Sequence, residues 1–242
     1  MNLCIDQGNS STKAGVFNLD LLIETFSFEQ FGKIEIAFIL SKFSFTCCII
    51  SSVISDNKEL LFELKNQIQI VIELTHKTVV PIDNKYLTPA TLGKDRLAGV
   101  IGAAFLKPMK DILVIDAGTA ITYDFIDANQ VYWGGNIAPG LNMRLSSLHE
   151  FTQKLPKVEP KTESLFIGNT TESAILSGAL YGIVFEIDGY IEALRIKYPQ
   201  LSTFLTGGST FYFDNKLKNA IFAERNLVLI GLNRILLYNV QK

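Results

Sequence analysis

The chain has 242 residues, of which 48% are hydrophobic and 19% are charged, as expected for a soluble globular protein with one large domain or two smaller lobes. Its 22 Lys and Arg residues nearly balance its 24 Asp and Glu residues, and neither sign forms a block. This charge pattern argues against a dedicated nucleic-acid binder.

Hydrophobic periodicity predicts alternating strands and helices, as in an α/β protein. In the first half, the predicted strands are 3–5, 14–17, 21–28, 46–54 and 78–82, and the predicted helices are 34–40 and 56–74. In the second half, the predicted strands are 113–115, 123–126, one near Val131, and 201–206, and the predicted helices are 141–151, 171–198 and 227–237. Glycines at 178, 182 and 189 indicate close packing or a break in the longest helix.

The cysteines and the hydrophobic segments indicate a cytoplasmic protein. Cys4, Cys47 and Cys48 form no CxxC pair and are expected to be reduced. A strand pattern begins directly after Asn2, so we expect no secretory signal. The most apolar window, 36–54, contains Lys42, whose charge would cost about 3 kcal/mol at the centre of a spanning helix. We therefore expect no membrane partner.

One pattern occurs twice, at positions 3–12 and 113–122, which are 110 residues apart. Each copy has three apolar residues, then Asp, any residue, Gly, and later Thr, and each continues into an apolar strand. Each copy therefore predicts a strand, a tight turn at the glycine and a returning strand. The two copies indicate an internal duplication, with a lobe boundary near 108–111.

The chemistry of this repeat favours a nucleotide site. Glycine lets backbone N–H groups approach phosphate oxygens, and the aspartates, Asp6 and Asp116, offer hard oxygen ligands for a cation. Two facing turns of this kind would hold a nucleoside triphosphate and its metal. The alternative is that each aspartate only caps its own turn. Neither a GxxxxGK[ST] loop nor a GxGxxG loop occurs, and His76 and His149 lack the HExxH context of a zinc protease.

Six ordered motifs resemble those of the type III pantothenate kinases, a family of the actin, sugar-kinase and Hsp70 superfamily. The matching segments are Asp6-Gln7-Gly8-Asn9-Ser10 (DxGNT), Ile50-Ser51-Ser52-Val53 (SSV), the segment from Tyr86 to Arg96 (YxNPxxLGxDR), Asp116-Ala117-Gly118-Thr119-Ala120-Ile121-Thr122 (DxGTAxT), Gly134-Gly135-Asn136-Ile137-Ala138-Pro139-Gly140 (GGxIxPG) and Thr206-Gly207-Gly208 (TGG). The chain departs from the family pattern at Ser10, where Thr is usual, and at Thr88, where Asn is usual.

The resemblance implies a duplicated ribonuclease H-like, or actin-like ATPase, fold with lobes 1–110 and 111–242 around a nucleotide cleft. It implies a cytoplasmic homodimer that transfers the γ-phosphate of ATP to pantothenate, the first step towards coenzyme A. It also implies Mg²⁺ and a monovalent cation, K⁺ or NH₄⁺.

The resemblance further implies a role for each matched residue. Asp95 would be the general base, Asp6 would serve Mg²⁺ through ATP, and Asp116 would bind the monovalent cation. The implied ATP contacts are Asp6, Gln7, Gly8, Asn9, Ser10, Ser11, Thr12, Lys13 and Thr119, and the implied pantothenate contacts are Tyr86, Gly93, Lys94, Asp95, Arg96 and Thr171.

Two of these roles have alternatives in the residues themselves. Asp95 could instead be an acid at a helix N-terminus, since Leu97, Ile101 and Phe105 follow at helical spacing. Arg96 could bind the substrate carboxylate or pair with Asp95 and hold it. The rival functions are a non-catalytic nucleotide-binding regulator, since some relatives were first noted as transcription accessory factors, and another small-molecule phosphotransferase.

Overall fold

The computed structural model describes residues 1–8, 10–53, 58–213 and 215–240. Asn9 and the predicted element ends at 54 and 56 lie outside these residues. The strands are β1 (Asn2–Gln7), β2 (Thr12–Asn18), β3 (Leu21–Phe28), β4 (Cys47–Ser52), β5 (Ile70–Glu73), β6 (Asp83–Asn84), β7 (Ile112–Ala117), β8 (Ala120–Ile126), β9 (Val131–Pro139), β10 (Ser202–Thr206) and β11 (Phe222–Ala223). The helices are α1 (Lys33–Lys42), α2 (Lys58–Gln67), α3 (Lys94–Leu106), α4 (Leu141–Glu150), α5 (Thr171–Lys197) and α6 (Leu227–Val240).

The chain divides into two compact units. The first comprises Met1–Met109, Asn129–Trp133 and Asn226–Lys242, and the second comprises Lys110–Ala128 and Gly134–Arg225. The second unit is therefore inserted into the first, which the chain re-enters twice.

The first unit contains a five-stranded sheet in the order β3-β2-β1-β4-β5. β1 pairs antiparallel with β2, which pairs antiparallel with β3, whereas β1–β4 and β4–β5 are parallel. One face of this sheet packs on α1 and α2 through a fully buried group that includes Leu3, Ile5, Ile39, Ile50 and Leu64.

The second sheet has six strands in the order β11-β10-β7-β8-β9-β6, and five of them, β9-β8-β7-β10-β11, repeat the order of the first sheet. β7 pairs antiparallel with β8, and β7–β10 and β10–β11 are parallel, as are their counterparts in the first sheet. Even the burial of the first strands agrees, since β1 and β7 are buried at every position except the half-buried Asp6 and Asp116. The expected duplicated ribonuclease H-like fold is confirmed.

The longest helix, α5, runs through Gly178, Gly182 and Gly189 without a break. A Cβ at Gly178 or Gly189 would meet no atom within 4 Å, so the expected close packing at these glycines is wrong within the chain. Among the described residues α5 alone is long and apolar enough to span a membrane, but 56% of its most apolar window is buried inside the protein. A core helix has this pattern.

The C-terminal helix α6 crosses α3 at a pair of glycines in the first unit. A Cβ at Gly102 would overlap the carbonyl oxygen of Leu227, and a Cβ at Gly231 would overlap that of Ala98. Asn233 of α6 is buried, and it accepts a hydrogen bond from Asn2 Nδ2 at 3.0 Å. These contacts place the end of the chain in the core of the first unit.

Two predicted elements differ from the structure. The expected helix 56–74 is divided, because α2 ends at Gln67 and the β-branched residues that follow form β5 beside β4. The expected strand 78–82 is absent. Pro81 cannot donate a ladder hydrogen bond, and the short strand β6 begins after it, where Asp83 pairs with Val131.

Candidate active site

In the first unit, the candidate site contains the turn between β1 and β2. Asp6 stands opposite Lys13 in the register, and both side chains are half-buried at the end of the hairpin. The Gly8 N–H donates to the carbonyl oxygen of Ser11 at 3.0 Å, which closes the turn. Of the predicted phosphate contacts, Ser10 is exposed there, whereas Gln7 and Thr12 are buried in the strands.

Ser52, the last residue of β4, joins this turn to the motif that contains Asp95. Its hydroxyl donates to Gln7 Oε1 at 2.8 Å, and its carbonyl oxygen accepts from Lys94 Nζ at 3.0 Å. Val53 strengthens the same junction, since its N–H donates to the carbonyl oxygen of Gln7 at 3.1 Å. The three motifs of the first unit therefore meet at the carboxyl ends of β1 and β4, the edge where open α/β sheets bind ligands.

Asp95 lies in the first turn of α3, two residues after the N-cap residue Gly93. Its Oδ1 accepts from the backbone N–H of Arg96 at 2.8 Å, and the side chain is half-buried. A Cβ at Gly93 would lie 2.6 Å from Asp95 Oδ1, so this carboxylate occupies space that only glycine leaves open.

Arg96 is buried beneath an aromatic ring. Its side chain is 7% exposed in total, and its guanidinium carbon lies 5.5 Å from the centre of the Tyr86 ring. Tyr86 in turn stacks on Tyr132, with ring centres 6.3 Å apart. The Tyr86 N–H donates to Asn84 Oδ1 at 2.9 Å, which fixes the backbone before the motif.

A cavity of about 230 Å³ opens beside the start of α3. Lys94 is its one charged lining side chain with His76 taken as neutral, and Leu92 and Leu97 contribute apolar walls. Thr75, Thr78 and Asn84 add polar groups. A pocket whose walls are about equally polar and apolar suits a small polar organic molecule.

In the second unit, the candidate site contains the turn between β7 and β8. Asp116 stands opposite Thr122, and the Gly118 N–H donates to the carbonyl oxygen of Ala120 at 3.0 Å. The corresponding bond in the first unit reaches one residue further along the chain. The expected alignment of Thr12 with Thr122 is therefore shifted, because it is Lys13 that stands opposite Asp6.

Two glycines from the other motifs of the second unit press against this turn. A Cβ at Gly140 would overlap the carbonyl oxygen of Thr119, and the Gly140 N–H donates to that same oxygen at 3.1 Å. Gly207 has φ of +101°, and a Cβ there would lie 2.5 Å from Asp116 Oδ1. Both positions exclude any larger residue, so the spacing of the GGxIxPG and TGG motifs is explained by contact with the turn.

Thr171 is the first residue of α5, and its side chain is exposed. The preceding Thr170 is the N-cap, and its hydroxyl accepts from the Ser173 N–H at 3.1 Å. Thr170 thus supplies a helix cap directly before Thr171.

The predicted site residues are divided between the two units. The first unit brings together Asp6–Gly8, Ser10–Lys13, Tyr86 and Gly93–Arg96, and the second brings together Asp116 and Thr119, with Thr171 at the start of α5. Asn9 lies outside the described residues. Sequence reasoning missed the linking role of Ser52 and the stacking of Tyr132, since neither is visible without the fold.

The family resemblance implies that single carboxylates of this chain bind the cations. In the part of the chain that the structure describes, no three His, Cys, Asp or Glu side chains are grouped as a protein-only metal site would require. A lone half-buried carboxylate beside a glycine turn suits a cation that takes its other ligands from phosphate oxygens and water, as Mg²⁺ does.

Comparisons with known proteins agree with the motifs. The family model of the type III pantothenate kinases matches residues 2–193. A relative from Phocaeicola vulgatus named type III pantothenate kinase is 50% identical over 239 residues, which cover 99% of each chain.

Solved structures resemble the chain along its whole length. A Campylobacter jejuni protein assigned to the Baf family of transcriptional activators is 25% identical, with a TM-score of 0.66 over 99% of this chain and 100% of that one. The Listeria monocytogenes protein Lmo2764, assigned as an N-acetylmannosamine kinase, is 13% identical, with a TM-score of 0.56 over 99% of each chain. At that identity the second likeness shows the fold alone.

Proposed function

The chain belongs to the type III pantothenate kinase family, and from this premise we propose which of its residues carry out the reaction. The enzyme transfers the γ-phosphate of ATP to pantothenate and releases 4′-phosphopantothenate and ADP. The observation that carries our assignment of residues is the junction at Ser52, which links the Gly8 turn to the helix that presents Asp95.

Asp95 is the general base in this proposal. Phosphoryl transfer needs a group that orients the attacking hydroxyl and accepts its proton. The half-buried carboxylate of Asp95 keeps one oxygen on the backbone N–H of Arg96, which leaves the other for the primary hydroxyl of pantothenate. The transferred phosphoryl group bonds to that oxygen as the bond to ADP breaks.

The two glycine turns hold ATP in this proposal. The turn from Gly8 to Thr12 and the Lys13 ammonium would bind phosphate oxygens in the first unit, and Thr119 would do so in the second. Asp6 would orient Mg²⁺ through ATP, and Asp116 would hold K⁺ or NH₄⁺. These cations supply neutralisation of the phosphate charge when bound.

The pantothenate side is built from the motif between Tyr86 and Arg96, with Thr171 as a further contact. The cavity beside Lys94 would hold part of the acceptor, since about 230 Å³ lies below the ~300–1,000 Å³ of typical complete ligand pockets. Arg96 is buried under Tyr86, and the half-buried Gly93 and Lys94 are the more accessible residues of the motif. In this proposal Gly93, Lys94 and Arg96 all contact pantothenate.

A homodimer is the proposed assembly, and exposed aromatic residues on the second unit support it. Phe166 is 63% exposed and Phe185 is 60% exposed, and they contact Tyr181 and each other with ring centres 5.0–6.4 Å apart. Ile167 beside them is 78% exposed. Such contiguous apolar surface is typical of an interface. The near-neutral charge and the buried face of α5 support a cytoplasmic enzyme without nucleic-acid or membrane partners.

The testing experiment is ATP-dependent incorporation of phosphate into pantothenate, with Mg²⁺ and K⁺ present. Asp95→Asn should lower kcat by about 10²- to 10⁴-fold, because an amide cannot accept the proton. Asp83→Asn, at an exposed carboxylate that pairs with Lys85 at 2.8 Å, is the matched control and should retain full activity.

Retention of more than half of the activity in Asp95→Asn contradicts the assignment of the base. A wild-type protein that binds ATP but phosphorylates no pantothenate would favour the regulator that the sequence left as the alternative. The intact Asp6, Asp95 and Asp116 argue against that outcome.

A further inference from the structure

A polar network outside the predicted site joins three elements of the second unit. Arg144 of α4 donates from Nη2 to Glu186 Oε2 at 2.6 Å, and Tyr123 of β8 donates from its hydroxyl to Glu186 Oε1 at 2.8 Å. The Arg144 and Glu186 side chains are 21% and 27% exposed, so water screens this pair only in part. Burial, and next the hydrogen bond to Glu186, raises the pKa of Tyr123, so the phenol remains a donor.

Arg144 also contacts Pro139, the last residue of β9, and Gly140, the N-cap of α4. Its Nε donates to the carbonyl oxygen of Pro139 at 2.8 Å, and its backbone N–H donates to that of Gly140 at 3.0 Å. Gly140 is the residue pressed against the carbonyl oxygens of Gly118 and Thr119. One side chain therefore connects α5, through Glu186, to the backbone that supports the second turn.

We propose that Arg144, fixed by Glu186, is a positioning residue for the phosphate-binding turn at Gly118 and Thr119. This inference rests on the proposed role of Thr119 as an ATP contact. The planar guanidinium is suited to the task, because its Nε and Nη2 donors point in fixed directions towards the Pro139 carbonyl and the carboxylate at once. A displacement of about 1 Å in a substrate-positioning group costs up to ~10²-fold in rate.

The test compares Arg144→Met with Arg144→Lys and Glu186→Gln. We expect Arg144→Met to raise the KM for ATP about tenfold while the KM for pantothenate changes less than about twofold, because only the ATP-binding turn moves. Arg144→Lys should recover part of the ATP affinity, since an ammonium keeps one of the two side-chain bonds. Glu186→Gln should raise the KM for ATP by a smaller factor.

Arg195→Met is the matched control. Arg195 lies further along α5 and donates to Asn219 Oδ1, so its loss removes a comparable side-chain bond away from the turn. This variant should keep the wild-type KM for both substrates. Thermal unfolding of all variants reports their effect on stability separately.

The outcomes separate this inference from the assignment of the site. An unchanged KM for ATP in Arg144→Met, or equal changes in both KM values, overturns the positioning role. If Thr119→Ala raises the KM for ATP while Arg144→Met does not, the inference fails and the ATP site stands. If neither variant affects ATP, both fail. Should Arg144→Met not fold, the KM values of Arg144→Lys and Glu186→Gln for ATP and for pantothenate test the inference in the same way.

Discussion

Lys94 donates a hydrogen bond from Nζ to the carbonyl oxygen of Ser52 at 3.0 Å, which ties the first residue of α3 to the last residue of β4. Because Asp95 follows Lys94 directly, this bond helps to set where the proposed base lies. Lys94 is therefore expected to position Asp95 as well as to contact the substrate.

Lys94→Met should lower kcat about tenfold, because the start of α3 loses its anchor and Asp95 shifts from the attacking hydroxyl. Steady-state kinetics in both substrates provide the measurement. Lys85→Met, which removes an exposed lysine paired with Asp83, should leave kcat unchanged. Full activity of Lys94→Met would show that the anchor has no part in catalysis.

The cation assignment predicts an ion requirement. Activity should be low in a Na⁺ or Tris buffer with Mg²⁺, and K⁺ or NH₄⁺ should restore it. Asp116→Ala should weaken ATP binding and remove the response to K⁺, because the carboxylate that would hold the ion is gone. Full activity without K⁺ and NH₄⁺ would refute the site.

Two glycine substitutions should distinguish a glycine that is in close contact with its neighbours from one that faces open space. Gly140→Ala should lower ATP affinity and stability, because its methyl group would overlap the Thr119 carbonyl oxygen. Gly189→Ala meets no atom within 4 Å in the middle of α5 and should raise the free energy of unfolding by about 0.5–1 kcal/mol. Denaturant titration and ATP binding measure both effects, and similar results for the two variants would contradict this prediction.

The buried cysteines predict a loss of stability at high pH. Burial raises the pKa of Cys4 and of Cys48 well above the value of a free thiol, so both stay protonated in the folded state. In the unfolded chain they ionise near a pKa of about 8.5. The free energy of unfolding should therefore be unaffected by them below that pH and fall as the pH rises above it.

Urea titrations between about pH 7 and 10 measure this effect. A Cys4→Ala, Cys48→Ala double variant serves as the control and should lose stability less steeply over the same range. Equal slopes for the variant and the wild type would show that the thiols do not contribute.

The proposed dimer predicts that a charge among the exposed aromatic residues prevents assembly. Phe185→Glu should convert the dimer into monomers, because the carboxylate would lose water on association. Sedimentation measures the mass, and Glu150→Gln on α4 is an exposed control that should remain dimeric. A fully active monomeric wild type at assay concentration would refute the dimer.

The sequence predicted the fold where the pattern was strong. The repeated Asp-x-Gly pattern found both hairpins, and the periodicity found α5 and α6 almost to their ends. It failed at 68–74, where Ile68, Val71 and Ile72 match a helical spacing by chance. Only the pairing of β5 with β4 makes that segment a strand, and this pairing depends on residues distant in the chain.

The site was predictable as a set of motifs but not as a set of contacts. Spacing alone could not reveal that Gly140 supports Thr119, because Thr119 lies in the turn between β7 and β8 while Gly140 follows β9, and only the fold brings them together. Arg144 and Glu186 gave no signal in the sequence, where each reads as an ordinary charged residue of a helix. The structure assigns their partners.

The position of α6 determines the order in which the protein can mature during synthesis. The second unit, Lys110–Ala128 with Gly134–Arg225, is translated before α6, whereas the first unit needs α6 to cover the Gly102 face of α3. Because domains fold as units while the chain emerges, the second unit can fold before the first. The unit that contains Asp95 is completed only after α6 has been translated, so a chain that lacks α6 should yield no working base.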